Sequence, residues 1–198
     1  PACGERRFDE RTWPCEVCLE SAKAETMKLI DMLMKDFGFL PQEISVSFSG
    51  HRGYHVHLES EETRTLDQMS RKEIVDYLVG IGLETDFHGL ERSGTRARLL
   101  AGPGLDDLGW RGRIARGTYE FLLSATPEEL EEIGLKKKAV NTIIEHKKEL
   151  LESWKESGPW GIVKGVGIES WRKISEHGAK KQSAKIDTVV TTDFHRLI

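Results

Sequence analysis

Apolar positions along the chain recur at two different periods, and the switches between them mark out its elements. Between Glu16 and Phe37, residues Ala22, Leu29, Ile30, Leu33 and Phe37 fall at helical spacing, and Gly38 supplies the stop. The period then drops to two. Ile44-Ser45-Val46-Ser47-Phe48 and Tyr54-His55-Val56-His57-Leu58 each alternate apolar with polar residues. With the turn Ser49 to Gly53 between them they predict a β-hairpin. One face of it is apolar and the other carries Ser45, Ser47, His55 and His57.

Helical spacing returns after the hairpin. Ser70-Arg71-Lys72-Glu73 reads as a capping box opening a helix through Ile74, Leu78 and Ile81. From Phe87 to Gly117 the periodicity breaks, and the segment is rich in Gly and Arg. Thr126-Pro127-Glu128-Glu129 combines an N-cap, a first-turn Pro and a capping Glu. A longer helix follows through Val140, Ile143, Leu150 and Trp154, ended by Gly158-Pro159, and another amphipathic segment carries Ile168, Trp171 and Ile174. Lys185 to Val190 is β-branched and strand-like, with Thr192 able to cap a final helix. The order of elements predicts an α/β core interrupted by a mostly helical insertion.

The length, 198 residues, suits one domain or a core with an inserted subdomain. A net charge of -4 excludes a global basic field, so any nucleic-acid contact must come from local patches. No apolar run reaches the ~18 residues of a membrane span, and no signal peptide pattern is present. A cytoplasmic protein is expected. The chain starts at Pro1, and Thr192 to Ile198 stops in mid-pattern, so both ends are read as cuts.

Two groups of residues carry candidate chemistry. Cys15-Glu16-Val17-Cys18 is a C-x-x-C knuckle, and Cys3 lies twelve residues earlier. Such a pair grips one tetrahedral zinc from a tight turn, a third thiolate reaching in from a loop. A redox pair or unconnected thiols is the competing reading. No histidine precedes His51, so a fourth ligand is missing. In the hairpin turn, Gly50 and Gly53 permit positive φ and close backbone approach. Exposed amides, the Ser49 hydroxyl, the Arg52 guanidinium and His55 form a possible polyphosphate cradle; a turn without a ligand is the alternative. The arginines at 92, 96, 98, 111, 113 and 116 read either as a flexible insert or as a phosphate-contacting loop. The tryptophans are expected in packing, except that Trp110, among those arginines, is a candidate base-stacking platform.

The string Phe48-Ser49-Gly50-His51-Arg52-Gly53-Tyr54-His55 resembles the S-G-x-R-G-x-H motif of the small, catalytic subunits of archaeal and eukaryotic DNA primases. Asp36-Phe37-Gly38-Phe39 resembles the family's lead-in to that strand, and Cys15-x-x-Cys18-Leu19-Glu20 its zinc knuckle. Lys185 to Asp193 resembles the segment bearing its third metal-binding aspartate. The similarity is strong over the first third and last tenth of the chain. His51 departs from family members that have a second Arg there, which leaves its role open.

The resemblance implies a primase-type α/β catalytic core, with residues 1–20 as a zinc-knuckle segment and 21–68 as part of that core. Residues 69–178 are then a mostly helical insertion, and 179–198 return to the core. It implies that Ser49, Arg52 and His55 contact the phosphates of the incoming nucleotide. Asp187 is implied as a catalytic carboxylate binding magnesium or manganese, and Cys3, Cys15 and Cys18 as structural zinc ligands, Cys3 being the least secure.

The activity implied is synthesis of short RNA or DNA primers on single-stranded DNA from nucleoside triphosphates, in a heterodimer with a large regulatory subunit. Two metals would activate the 3'-hydroxyl and neutralise the departing pyrophosphate. The family's paired D-x-D is absent before the hairpin, where Asp9, Asp31 and Asp36 stand apart. It is expected upstream of Pro1, so the chain alone is expected to be catalytically inactive. The alternatives are another primase-polymerase of the same superfamily and a non-catalytic zinc-bearing nucleic-acid-binding module. A D-x-D strand upstream discriminates the polymerases from the module.

Overall fold

The computed structural model describes residues 15–51, 53–88, 90–93, 99–154, 158–160 and 163–188. Helix α1 (Glu16–Asp36) is capped by Cys15, whose sulfur accepts from the Cys18 amide, and ends at Phe37. Strands β1 (Ile44–Phe48) and β2 (Tyr54–Leu58) follow as an antiparallel hairpin, with Ser45 opposite His57 and Ser47 opposite His55. The period-two alternation therefore sets the faces as expected. Beyond it come α2 (Glu61–Arg64), α3 (Gln68–Val79), a second hairpin of β3 (Glu91–Ser93) and β4 (Leu99–Ala101), and α4 (Gly109–Ser124). Helices α5 (Pro127–Glu132), α6 (Lys137–Glu145), α7 (Lys147–Ser153) and α8 (Ile168–Gln182) complete the described fold.

Two apolar cores hold these elements. In the first, Met32 and Leu33 of α1 and Leu78 of α3 meet Trp110 and Ile114 of α4 and Ala179 of α8. Only the base of the β1–β2 hairpin reaches this core, through Ile44, Val56 and Leu58. Toward the turn, Val46 and Phe48 stay exposed. The second core gathers the far half of α4 with α5 to α8, around edge-to-face contacts between Trp154, Trp160 and Trp171. Helices α4 and α8 run through both cores. Their backbones meet where Gly117 faces Gly178: a Cβ on Gly117 would lie 2.3 Å from the Gly178 carbonyl oxygen.

Several elements differ from those expected. The helix expected to open at Ser70 is capped three residues earlier, because the Asp67 carboxylate accepts the Ser70 amide at 2.7 Å. Asp is a strong N-cap, and its carboxylate takes the donor that a Ser70 cap would leave for later residues. The Gly- and Arg-rich stretch is helical from Gly109 onward. Glycine disfavours an exposed helix, but here Gly112 and Gly117 sit where backbone approaches too closely for any side chain. Trp110 is not a stacking platform. It is 5% exposed and its indole N–H donates to the Tyr77 carbonyl at 2.9 Å.

The long helix through Val140 and Trp154 is two helices, since His146 leaves helical geometry at φ -103°, ψ 16°. The break lets Val140 and Ile143 on one side, and Leu150 and Trp154 on the other, face the same core. The strand expected from Lys185 does not form among the described residues. Its first donors are already used, Ala184 N–H on the Leu78 carbonyl at 2.9 Å and Lys185 N–H on Glu25 at 3.2 Å. Positions 189–198, including the expected cap at Thr192, lie outside the described residues.

Candidate functional site

The hairpin turn is organised by one side chain. Ser49 N–H donates to the Gly53 carbonyl at 2.9 Å, closing the loop. The Ser49 hydroxyl oxygen then accepts the amides of His51 (3.3 Å) and Gly53 (3.1 Å). Two amides expected to face a ligand thus point inward. Their effect is to polarise the Ser49 O–H, which is left to donate outward to an anion. Gly50 adopts φ +80°, as the turn requires, whereas Gly53 does not use a positive φ. Arg52 lies outside the described residues.

His55 and His57 stand exposed on the polar face of β2, with ring centroids 6.3 Å apart. Among the described residues neither ring makes a hydrogen bond. At the base of the same face Ser45 donates to Glu59 at 2.8 Å. On the opposite face Phe48 meets the edge of Tyr54, with centroids 5.7 Å apart.

The segment bearing Asp187 is brought beside the hairpin base, since Ile186 packs into the core that holds Ile44, Val56 and Leu58. It is fixed from α1. Glu25 accepts the Lys185 amide, and Lys28 bridges Glu25 at 3.0 Å to the Ser183 carbonyl at 3.1 Å. Asp187 itself is exposed. Among the described residues no group of three or more metal-ligating side chains forms. One carboxylate does not fit a two-metal site, so these residues do not by themselves hold a catalytic metal pair.

Cys15 and Cys18 sit together at the N-terminus of α1, both exposed, with sulfurs 3.0 Å apart. The Cys18 thiol and amide, both directed at the Cys15 sulfur, lower the Cys15 pKa. Zinc–sulfur bonds of about 2.3 Å in a tetrahedron require sulfurs about 3.8 Å apart. Exposed side chains reach that separation by a small χ1 rotation, so the pair fits two corners of a zinc site. Cys3, the third expected ligand, lies outside the described residues.

The arginine-rich segment divides. Arg111 pairs with Asp107 at 2.5 Å and reaches the His88 carbonyl, while Arg116 donates to the Leu105 carbonyl at 2.7 Å. Burial, aided by Arg111, lowers the His88 pKa. Arg113 is 1% exposed and forks onto Asp36 at 2.5 and 3.1 Å, with a further bond to Asp31 at 3.2 Å. These three arginines serve the fold. Arg96 and Arg98 lie outside the described residues, and of Arg92 only the backbone is described.

Tyr77 completes the buried network by donating to Asp36 at 3.1 Å, and its pKa is pushed up to about 12, by burial first and then by the Asp36 charge. For Asp31, burial acts upward but Lys35 and Arg113 outweigh it and hold the carboxyl low. Sequence pattern carried no signal for this network. Its members come from α1, α3 and α4, and local spacing pairs none of them.

Residues 9–198 match the family model described as DNA primase small subunit. The chain is similar to the DNA primase small subunit of Methanothrix thermoacetophila, 34% identical over 91% of this chain and 50% of that protein. It is 32% identical to that of Methanococcoides burtonii, again over 91% and 50%, and 25% identical to that of Nitrosopumilus maritimus, over 98% and 43%. The chain thus spans about half the length of the curated relatives it matches.

Proposed function

The chain belongs to the DNA primase small subunit family, and from that premise we propose that it carries the nucleotide-binding hairpin of a primase catalytic subunit. The activity is nucleotidyl transfer from nucleoside triphosphates into short primers on a single-stranded DNA template, in DNA replication. The observation that supports this best is the Ser49-centred turn. Its hydroxyl is polarised by two amides and stands at the end of an exposed polar face bearing His55. Ser49 donates to an outer phosphate oxygen, Arg52 neutralises it through its fork, and His55 meets the same chain from the strand. These residues bind and orient; none acts as a nucleophile.

Asp187 is proposed as the carboxylate this chain offers to magnesium or manganese. Such a metal neutralises triphosphate charge when bound. Cys15 and Cys18, with Cys3, are proposed to hold a structural zinc that fixes the start of α1. A large regulatory subunit is the proposed protein partner, and the cytoplasm the proposed location. Among the described residues no helix is long and apolar enough to cross a membrane.

The test is a calorimetric titration of the chain with ATP. Arg52→Ala is expected to weaken binding by about tenfold or more, as loss of a charged hydrogen bond should. An unchanged affinity removes the hairpin from the nucleotide site. Metal analysis of the purified chain is expected to find one zinc, lost in Cys15→Ser. A zinc-free preparation made without chelator overturns the zinc reading alone.

A further inference from the structure

The polar face of the hairpin continues past His55, and its next residue has no part in the grip described above. His57 is exposed, on the same face, and opposite Ser45. Its ring lies 6.3 Å from that of His55, one strand repeat toward the base of the hairpin. The direction matters. At the base, Ile186 shares a core with Val56 and Leu58, the two neighbours of His57 in β2. His57 therefore stands between the phosphate grip at the turn and the segment that delivers Asp187. One repeat further on, Ser45 is bonded to the Glu59 carboxylate, and the face becomes anionic. A polyphosphate running down this face from the turn must end before Glu59, which leaves His57 as the last side chain able to donate to it.

We infer that His57 is a further nucleotide contact, meeting the α-phosphate and ribose end of a triphosphate whose outer phosphates are held by Ser49, Arg52 and His55. The inference rests on the nucleotide-binding reading of the hairpin. An extended triphosphate spans a distance comparable to the His55–His57 separation, so a ligand anchored at the turn brings its α-phosphate to the second ring. Either ring nitrogen can donate there without breaking an existing bond, since the His57 side chain has no hydrogen-bond partner among the described residues. An exposed strand residue also costs the fold little when changed, so a loss of binding will not be a loss of folding.

The experiment compares two probes, ATP and inorganic tripolyphosphate, titrated into the wild-type chain and into Arg52→Ala, His57→Ala and His57→Gln. His57→Ala is expected to weaken ATP by about tenfold while changing tripolyphosphate by less than about twofold, because only ATP carries the nucleoside-side contact. His57→Gln, which keeps a donor, is expected to recover part of the ATP affinity. Arg52→Ala weakens both probes. If His57→Ala leaves ATP unchanged, or weakens both probes equally, the contact is overturned while the grip at the turn stands. If neither probe binds the wild-type chain, the hairpin reading falls and this inference falls with it.

Discussion

The β1–β2 hairpin and the α4–α8 pair hold chain segments together by opposite means. The hairpin is a backbone ladder whose polar side chains are exposed and whose apolar face is covered only at its base. In the helix pair the side chains have been removed from the contact. Gly117 lies on Gly178, and beside them Thr118 bonds to the Ile114 carbonyl at 2.6 Å and to Ser175 at 3.4 Å. Where backbone does the joining, side chains are free for ligands. Where close packing does it, no atom can be added. The hairpin should therefore tolerate substitution in stability and lose binding, whereas the helix scaffold should do the reverse.

The sharpest test on the scaffold side is Arg113→Ala. It leaves the Asp36 carboxylate, 3% exposed, without its fork. Removing one partner of a buried pair costs about 3–5 kcal/mol, far above what an exposed arginine would cost. Urea denaturation with an unchanged m-value measures it. A loss below about 1 kcal/mol would mean that the network is solvated and that α1 is tied to α4 by apolar contact alone.

Glycine gives the next contrast. Gly178→Ala puts a methyl group 2.5 Å from the Gly117 carbonyl carbon, an overpacking expected to cost about 1–3 kcal/mol or more. Gly50→Ala meets no atom within 4 Å, and its cost comes only from φ +80°, about 1–2 kcal/mol. A larger residue separates the two causes. Valine at 178 should cost much more than alanine because the clash grows, while serine at 50 should cost about the same as alanine because the backbone term is unchanged. Equal behaviour at both sites would dissolve the distinction between the regions.

That distinction also explains what the sequence made readable. The hairpin, its register faces and the Thr126 cap follow from local rules: alternation, a Gly turn and a capping box. The motif Ser49 to His55 sits on them and was legible for that reason. The start of α4 was not. Its glycines and arginines look like a loop until Gly178, sixty-one positions from Gly117, is seen to occupy the missing side-chain volume. The Arg113–Asp36–Tyr77 network was equally hidden, because it depends on three helices meeting. At Lys185 the β-branched run suggested a strand, but Leu78 and Glu25 had taken the donors that a strand would need. Local pattern thus reached the candidate site better than the scaffold that carries it.

On the hairpin side, Ser49→Ala removes the acceptor for two exposed amides, which water can replace. The expected loss of stability is below about 1 kcal/mol. Affinity for ATP should nevertheless fall by about tenfold, since the donor to the phosphate is gone. Thermal unfolding and calorimetry on the same sample decide the matter. A large fall in stability with unchanged affinity would assign Ser49 to the fold.

The smallest effect is also the most specific to the scaffold. Tyr77 has a folded pKa of about 12, raised by burial and by Asp36, against about 10 for an unfolded chain. Below pH 10 the phenol is neutral in both states and its contribution is fully present. Between about pH 10 and 12 the unfolded chain ionises first, so stability falls as pH rises; above that range both states are ionised and the fall stops. Other groups titrate in this window, so the quantity to measure is the difference between wild type and Tyr77→Phe in urea midpoints from pH 9 to 12. Wild type should lose more stability than the variant over that range, while Ser49→Ala should follow wild type throughout. Parallel curves for wild type and Tyr77→Phe would show that the phenol is open to solvent, and with it the carboxylate of Asp36.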